Sequence, residues 1–330
     1  MNNAQGLIDV HAHYVLPGDT EGDGARKGAY EAWHFVHPPF TTWSVQQATE
    51  FMDAHGIAVQ MLSASTATTV DYARRLNDFG AQVVADNPDR FGLLATLPLN
   101  DPQAAVTEMD RAWTELGADG FVLVSNYDGK YLGDQDFADV FAHLNRLGAT
   151  AFLHPVHPPG FDAVSCDRPG PVFEFPVETA RTVIDAMYAG VFRRYPDFKL
   201  ILAHAGGVLP TLGSRLASIG TLSWVPNPNA LSASDVTDCL RKLHYDTALA
   251  ASDNSLAPLG AVTPTSNLVY GSDFPPAGVS TIEDNLAALR NGSLVDTDDF
   301  DALRENTLRL FPRLRARLSP TPAAEEIPHQ

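Results

Sequence analysis

Four histidines and one aspartate stand where short apolar runs of this sequence end. The run Leu7–Val10 leads into Asp9-Val10-His11-Ala12-His13. Side chains at i and i+2 of a strand share a face, so His11 and His13 are placed to hold one ion together. His154 closes Ala149–Leu153, His204 follows Lys199–Ala203, and Asp273 follows Leu268–Tyr270 in the stretch YGSDFP. A single histidine at a strand end is ordinarily a hydrogen-bonded core residue. Five such groups at equivalent ends favour a mononuclear metal site. Neutral imidazoles with one carboxylate suit a first-row divalent ion with a position open for water or substrate. Zn²⁺ is the first expectation and Mn²⁺ the second, since spacing alone does not separate them.

The elements that must position these groups alternate along the chain. Strand patterns run over Leu7–Val10, Ile57–Leu62, Gly92–Leu97, Gly120–Val124, Ala149–Leu153, Lys199–Ala203, Leu243–Asp246 and Leu268–Tyr270. Most are apolar on both faces, as strands covered on both sides tend to be. Helical periodicity fills Val45–His55, Val70–Asn87, Pro102–Leu116, Gln135–Leu147, Val177–Tyr195, Pro210–Ser218, Leu286–Arg290 and Thr297–Leu310. Gly56, Gly117 and Gly148 each follow a helical pattern, where a helix stop belongs. Eight strands alternating with helices predict an α/β fold, a (β/α)₈ TIM-like barrel, whose chemistry gathers at the C-terminal strand ends. An open doubly wound sheet is the runner-up, weakened because the first strand–helix turn lacks GxGxxG. One barrel domain over residues 1–318 is expected, with a lid insert after strand one at about 16–42 and a disordered tail at 319–330.

Composition narrows the partners. The chain has 330 residues, and 40 Asp and Glu against 22 Lys and Arg give a net charge of −18. A basic face is what nucleic acid and anionic membranes require, so neither partner is expected. Cys166 and Cys239 show no metal-ligand or disulfide-framework spacing, which fits a reducing compartment. The N-terminal residues lack a signal-peptide pattern and no apolar run is long enough to span a bilayer, so a cytoplasmic location is expected.

The chain resembles the amidohydrolase superfamily, in the decarboxylase branch typified by aminocarboxymuconate-semialdehyde decarboxylase. The similarity is carried by FMDAHGIAVQMLS (51–63), NPDRFGLLATLPLNDPQAAVTEMDRAWTELGADGFVL (87–123), FLHP (152–155), VFRRYPDFKLILAHAGGVLP (191–210) and YGSDFP (270–275), together with the HxH pair. It runs from about residue 7 to about 312. The stretch SNYDGKYLGD (125–134) is more similar to the 6-methylsalicylate-decarboxylase-like members. The resemblance implies metal ligands at His11, His13, His154 and Asp273, with acid/base chemistry at His204 or Asp273. It also implies a homodimer in which Arg215 reaches the neighbouring site to meet a substrate carboxylate; without it, Arg215 reads as a solvated helix-face residue.

Two departures refine this. Where the named decarboxylase carries an arginine four residues before the tryptophan aligned with Trp43, this chain has Pro39, which points to a less charged substrate. The fourth strand pattern contains no lysine to bridge a second metal, and Lys130 lies beyond it, which disfavours a two-metal hydrolase. The expected function is thus non-oxidative decarboxylation of a small aromatic carboxylate such as 6-methylsalicylate. A hydrolase or hydratase of the same fold is the alternative, and a barrel keeping its ion only as a staple is a third.

Lesser features carry two readings each. Trp33, His34, Phe35, His37, Phe40 and Trp43 line an aromatic-substrate pocket or form a small core under the loop. Tyr14 follows the HxH pair and is expected near the pocket. Asn126 and Tyr127 either donate to a phenol oxygen or make the turn after strand four. His157 sits at a pocket edge or in solvent. Asp246, ending the seventh strand in HYDTA, faces the site mouth as a candidate supporting residue behind the metal ligands, whereas Asp253 and the run 296–301 read as surface.

Overall fold

The computed structural model describes residues 6–18, 30–37, 42–65, 69–294 and 300–319. Pro39 and Phe40, most of the lid insert, most of the acidic run and tail residues 320–330 lie outside the described residues. Strands β1 (Leu7–His13), β2 (Ile57–Ser63), β3 (Phe91–Thr96) and β4 (Gly120–Val124) are followed by a small antiparallel hairpin, β5 (Asn126–Tyr127) and β6 (Lys130–Tyr131). Then come β7 (Thr150–His154), β8 (Lys199–Leu202) and β9 (His244–Tyr245). Seven of them form one parallel sheet in the order β1-β2-β3-β4-β7-β8-β9.

Helices fill the crossovers. They are α1 (Val45–His55), α2 (Val70–Asp86), α3 (Pro102–Thr114), α4 (Ala138–Leu147), α5 (Phe161–Val164), α6 (Gly170–Tyr188) and α7 (Val191–Arg194). The second half adds α8 (Leu209–Ser218), α9 (Ala233–Lys242), α10 (Asp253–Val262), α11 (Val279–Asn291), α12 (Phe300–Leu310) and α13 (Pro312–Leu318). Side-chain caps define their starts: Ser44 accepts from Gln47 N, Thr69 from Tyr72 N and Asp101 from Ala104 N. Gly56 and Gly148 end α1 and α4 at φ of 72° and 57°, a backbone that favours glycine.

The expected eighth strand is not a regular strand. Residues 268–274 still join the sheet's two edges, through bridges Tyr245↔Leu268 and Ala12↔Phe274. Val269 N donates to Tyr245 O, Val10 N to Tyr270 O, and His13 N to Phe274 O. The pairing is irregular between these points: Asp273 sits at φ 62° with its N–H donating to His11 O at 2.8 Å, and Gly271 passes against His11. The barrel is therefore closed by an irregular seam, and that seam carries Asp273.

Two cores flank the sheet. The interior packs Ile8, Val10, Met61, Leu94, Val122, Phe152, Ile201 and Val269, with Leu308 of α12, Leu314 of α13 and Phe311 between them. These helices plug the N-terminal strand ends: Thr150, the first residue of β7, donates to Leu310 O. The outer core lies between strands and helices. The other end of the barrel is left to the polar strand ends, as the periodicity predicts.

Candidate metal centre

A bulge in β1 aims the first two histidines. Asp9 to Ala12 spans three steps of β1 against two of β2, from Gln60 to Leu62. Val10 belongs to the interior core, yet the next residue, His11, also faces inward, its ring 4.9 Å from Phe152. The extra residue makes this possible, and alternation then brings His13 to the same mouth.

His11, His13, His154 and Asp273 are all buried, and one potential ligand atom from each lies within 4.8 Å of the others. His11 Nε2 is 3.1 Å from His13 Nε2, and Asp273 Oδ1 is 3.3 and 3.2 Å from those two nitrogens. Tetrahedral ligands about 2.0–2.1 Å from one zinc ion stand roughly 3.3 Å apart, so these separations match a single small cation. His154 Nδ1 is buried without a hydrogen-bond partner, an orphan that a metal satisfies. The donor set thus fits one divalent ion.

Electrostatics prepare the same state. Burial, reinforced by neighbouring histidines, pulls His13 below the ordinary imidazole range and His154 well below it, so both stay neutral and able to ligate. Burial works the same way on His11, but Asp273 and Asp246 outweigh it and push His11 up to about 10. Burial would raise Asp273, yet His11 and the hydrogen bonds from His11 and His13 hold its carboxyl well below the usual range. Without an ion, these two carboxylates favour a proton on the His11 ring.

His204 stands beside this cluster, its ring 4.9 Å from His11 and 6.2 Å from His154. Its Nδ1 donates to Ala248 O at 3.1 Å, which leaves Nε2 as the acceptor in the neutral ring. His204 and Ala205 both have φ of 55°, and such left-handed residues cost of order 1–3 kcal/mol each and cluster at functional sites.

The amidohydrolase family pattern matches residues 8–313. The chain belongs to the amidohydrolase family. This amidohydrolase is 32% identical to the 6-methylsalicylic acid decarboxylase acuB of Aspergillus aculeatus, over 93% of its own length and 96% of that protein. Among solved structures it is similar to 2,6-dihydroxybenzoate decarboxylase from Rhizobium, at 26% identity and TM-score 0.77, covering 93% of this chain and 99% of that one. A dihydroxybenzoic acid decarboxylase from Polaromonas, with bound manganese and the inhibitor 2-nitroresorcinol, shares the fold at 22% identity and TM-score 0.78, covering 96% and 100%.

The remaining candidate residues of this amidohydrolase divide. Tyr14 does not line the site: directly after β1 it turns into the outer core, its hydroxyl donating to Leu76 O of α2 and its ring against Trp43 and Phe79. Trp43 is likewise buried in that outer core. Asn126 makes the turn rather than offering free donors. Its amide nitrogen donates to His157 O and Glu178, and its oxygen accepts from Gly129 N. Phe35 packs on Tyr30. Trp33 instead stacks on His157, with ring centroids 4.3 Å apart. Arg215 is exposed on α8.

One site neighbour is absent from the sequence reading. Phe175 of α6 meets both His154 and His157, at 6.2 and 4.9 Å. The sequence pattern of that helix begins at Val177, whereas α6 begins at Gly170 and runs through Pro176. No periodic signal in the sequence places this turn over the mouth.

Proposed function

We propose that this chain is a metal-dependent, non-oxidative decarboxylase of small ortho-hydroxybenzoates, with 6-methylsalicylate the foremost candidate substrate. The buried convergence of His11, His13, His154 and Asp273, with His204 alongside, carries this reading. The named relatives supply the reaction class: the ring carbon exchanges its carboxylate for a proton, releasing CO₂. When bound, the divalent ion would draw in the anionic substrate and stabilise charge on its oxygens. Zn²⁺ is the first choice by donor chemistry; Mn²⁺, bound in the Polaromonas enzyme, is the second.

His204 is the proton's route into the site. It is half-buried and so exchanges with solvent, and its Nδ1 bond to Ala248 O aims the opposite nitrogen away from the backbone. Asp273 stays ionised as a ligand in the resting site. Phe175 gives the mouth an aromatic wall suited to a planar ring. The long-range field of the −18 chain repels an aryl carboxylate, so attraction is local, because surface fields fade over about 8–10 Å at physiological salt.

The reading includes a single barrel domain over 1–318, a cytoplasmic location and a homodimer in which exposed Arg215 meets the neighbour's substrate. Among the described residues no helix is long and apolar enough to cross a membrane. CO₂ release from a panel of ortho-hydroxybenzoates tests the function, with His204→Ala as the control. Turnover is expected in the parent and lost in the variant at unchanged metal content. Lactone or amide hydrolysis without CO₂ release would replace this reading with the hydrolase one.

A further inference from the structure

One fully buried carboxylate bonds both a candidate metal ligand and the turn that carries His204. Asp246 follows β9, and nothing in the metal-ligand set requires it. Its Oδ2 accepts from His11 Nδ1 at 2.7 Å. Its Oδ1 accepts from the backbone N–H of His204 at 2.7 Å and of Ala248 at 3.0 Å. Ala248 O in turn accepts from His204 Nδ1. Gly271 packs so closely that a Cβ there would lie 3.0 Å from the Asp246 carboxyl carbon and 2.9 Å from His11 Cβ. The carboxylate is therefore fixed from the seam side as well.

We propose that Asp246 is the positioning residue that sets the tautomers of His11 and His204 together. This rests on the decarboxylase reading for what His204 does, and on the metal reading for His11. With Nδ1–H given to Asp246, His11 presents the Nε2 lone pair to the ion, the arrangement that metal-ligating histidines take from a carboxylate partner. The same carboxylate anchors the first residue of the left-handed turn 204–205 and the backbone N–H of Ala248 beside it. Held this way, the turn keeps Ala248 O beneath His204 Nδ1, so the His204 ring also presents Nε2 to the site. One side chain thus aligns the ligand and the proton carrier.

Asp246→Asn separates the two effects. The amide oxygen still accepts from the two backbone N–H groups, so the His204 turn is kept. The amide nitrogen then faces His11 Nδ1 as a donor, and the proton is driven to Nε2, where the ion binds. Asp246→Ala removes both anchors. Zn²⁺ affinity is measured by competition with a chromophoric chelator, without substrate, and kcat and KM are measured at saturating Zn²⁺. Both variants should bind Zn²⁺ about 10- to 100-fold more weakly, the usual consequence of losing such a partner. At saturating Zn²⁺ the asparagine variant should recover kcat to within a few-fold of the parent. The alanine variant should stay at least tenfold down in kcat with KM little changed.

Parent-like Zn²⁺ affinity in the asparagine variant would overturn the proposal for His11. Full recovery of kcat by the alanine variant on Zn²⁺ saturation would overturn it for His204. Should the alanine variant not fold, the near-isosteric asparagine decides through its Zn²⁺ affinity and kcat recovery. A parent chain that binds Zn²⁺ but releases no CO₂ would refute the decarboxylase reading while leaving the His11 result to stand by itself.

Discussion

Stripping the ion tests the site through stability, because the structure says what replaces it. Two buried carboxylates, Asp246 and Asp273, face His11, and without an ion they favour a proton on its ring. The interior core and the C-terminal plug make no use of the ion, so the stripped chain stays folded. An ion present at about a thousand times its dissociation constant adds about 4 kcal/mol. For 330 residues the unfolding entropy is about 0.7 kcal/mol/K, so Tm should fall by about 6 °C on removal. A structural ion that holds the fold together would be worth about 10–16 kcal/mol, and its removal would unfold the chain.

The size of that fall depends on pH with a definite sign. His11 in the stripped protein is raised from 6.5 to about 10. Its contribution to stability is full below 6.5 and is lost as pH rises through 10. His13 and His154 are lowered, so they act in the other direction, removing stability as pH falls below 6.5. The Tm gap between loaded and stripped protein should therefore widen as pH rises from 6.5 toward 10. Differential scanning calorimetry on both forms, with metal analysis of each, measures it. An unchanged Tm in protein shown to be metal-free, or a gap that narrows over that range, would refute the reasoning.

Three further outcomes follow from particular contacts. Gly271→Ala presses a methyl on His11 and Asp246, so it should cost about 1–3 kcal/mol in urea unfolding and weaken metal binding in the same sample. Tyr14→Phe loses only the bond to Leu76 O, about 0.5–1.5 kcal/mol of stability, with kcat and KM unchanged; an altered KM would return Tyr14 to the pocket. Arg215→Ala should raise KM about 10- to 100-fold at constant metal content, as loss of a substrate-carboxylate partner would; an unchanged KM would return Arg215 to a solvated helix face.

Much of the site was legible because strand ends are. Once Leu7–Val10, Ala149–Leu153 and Lys199–Ala203 read as parallel strands, the histidines after them had to share one mouth. The alternation that paired His11 with His13 also sends Tyr14 to the opposite face, a consequence the reading by sequence proximity overlooked. Helix α1 kept its expected bounds because Ser44 and Gly56 cap it locally. Helices α9 and α10 were missed for local reasons. The start of α9 lay in a capping box formed by Ser232 and Asp235, and α10 contains Pro258 and has weak amphipathy. The eighth strand's irregularity, the placement of Phe175 and the three contacts of Asp246 join residues far apart in sequence, so only tertiary packing reveals them.

CO₂ release from 6-methylsalicylate, followed with chelated and reconstituted protein, decides whether the ion is essential to decarboxylation. Release should fall to background after chelation and recover with Zn²⁺ or Mn²⁺ at about one ion per chain. Undiminished release from metal-free protein would contradict it, as would a fully loaded protein that releases CO₂ from no ortho-hydroxybenzoate.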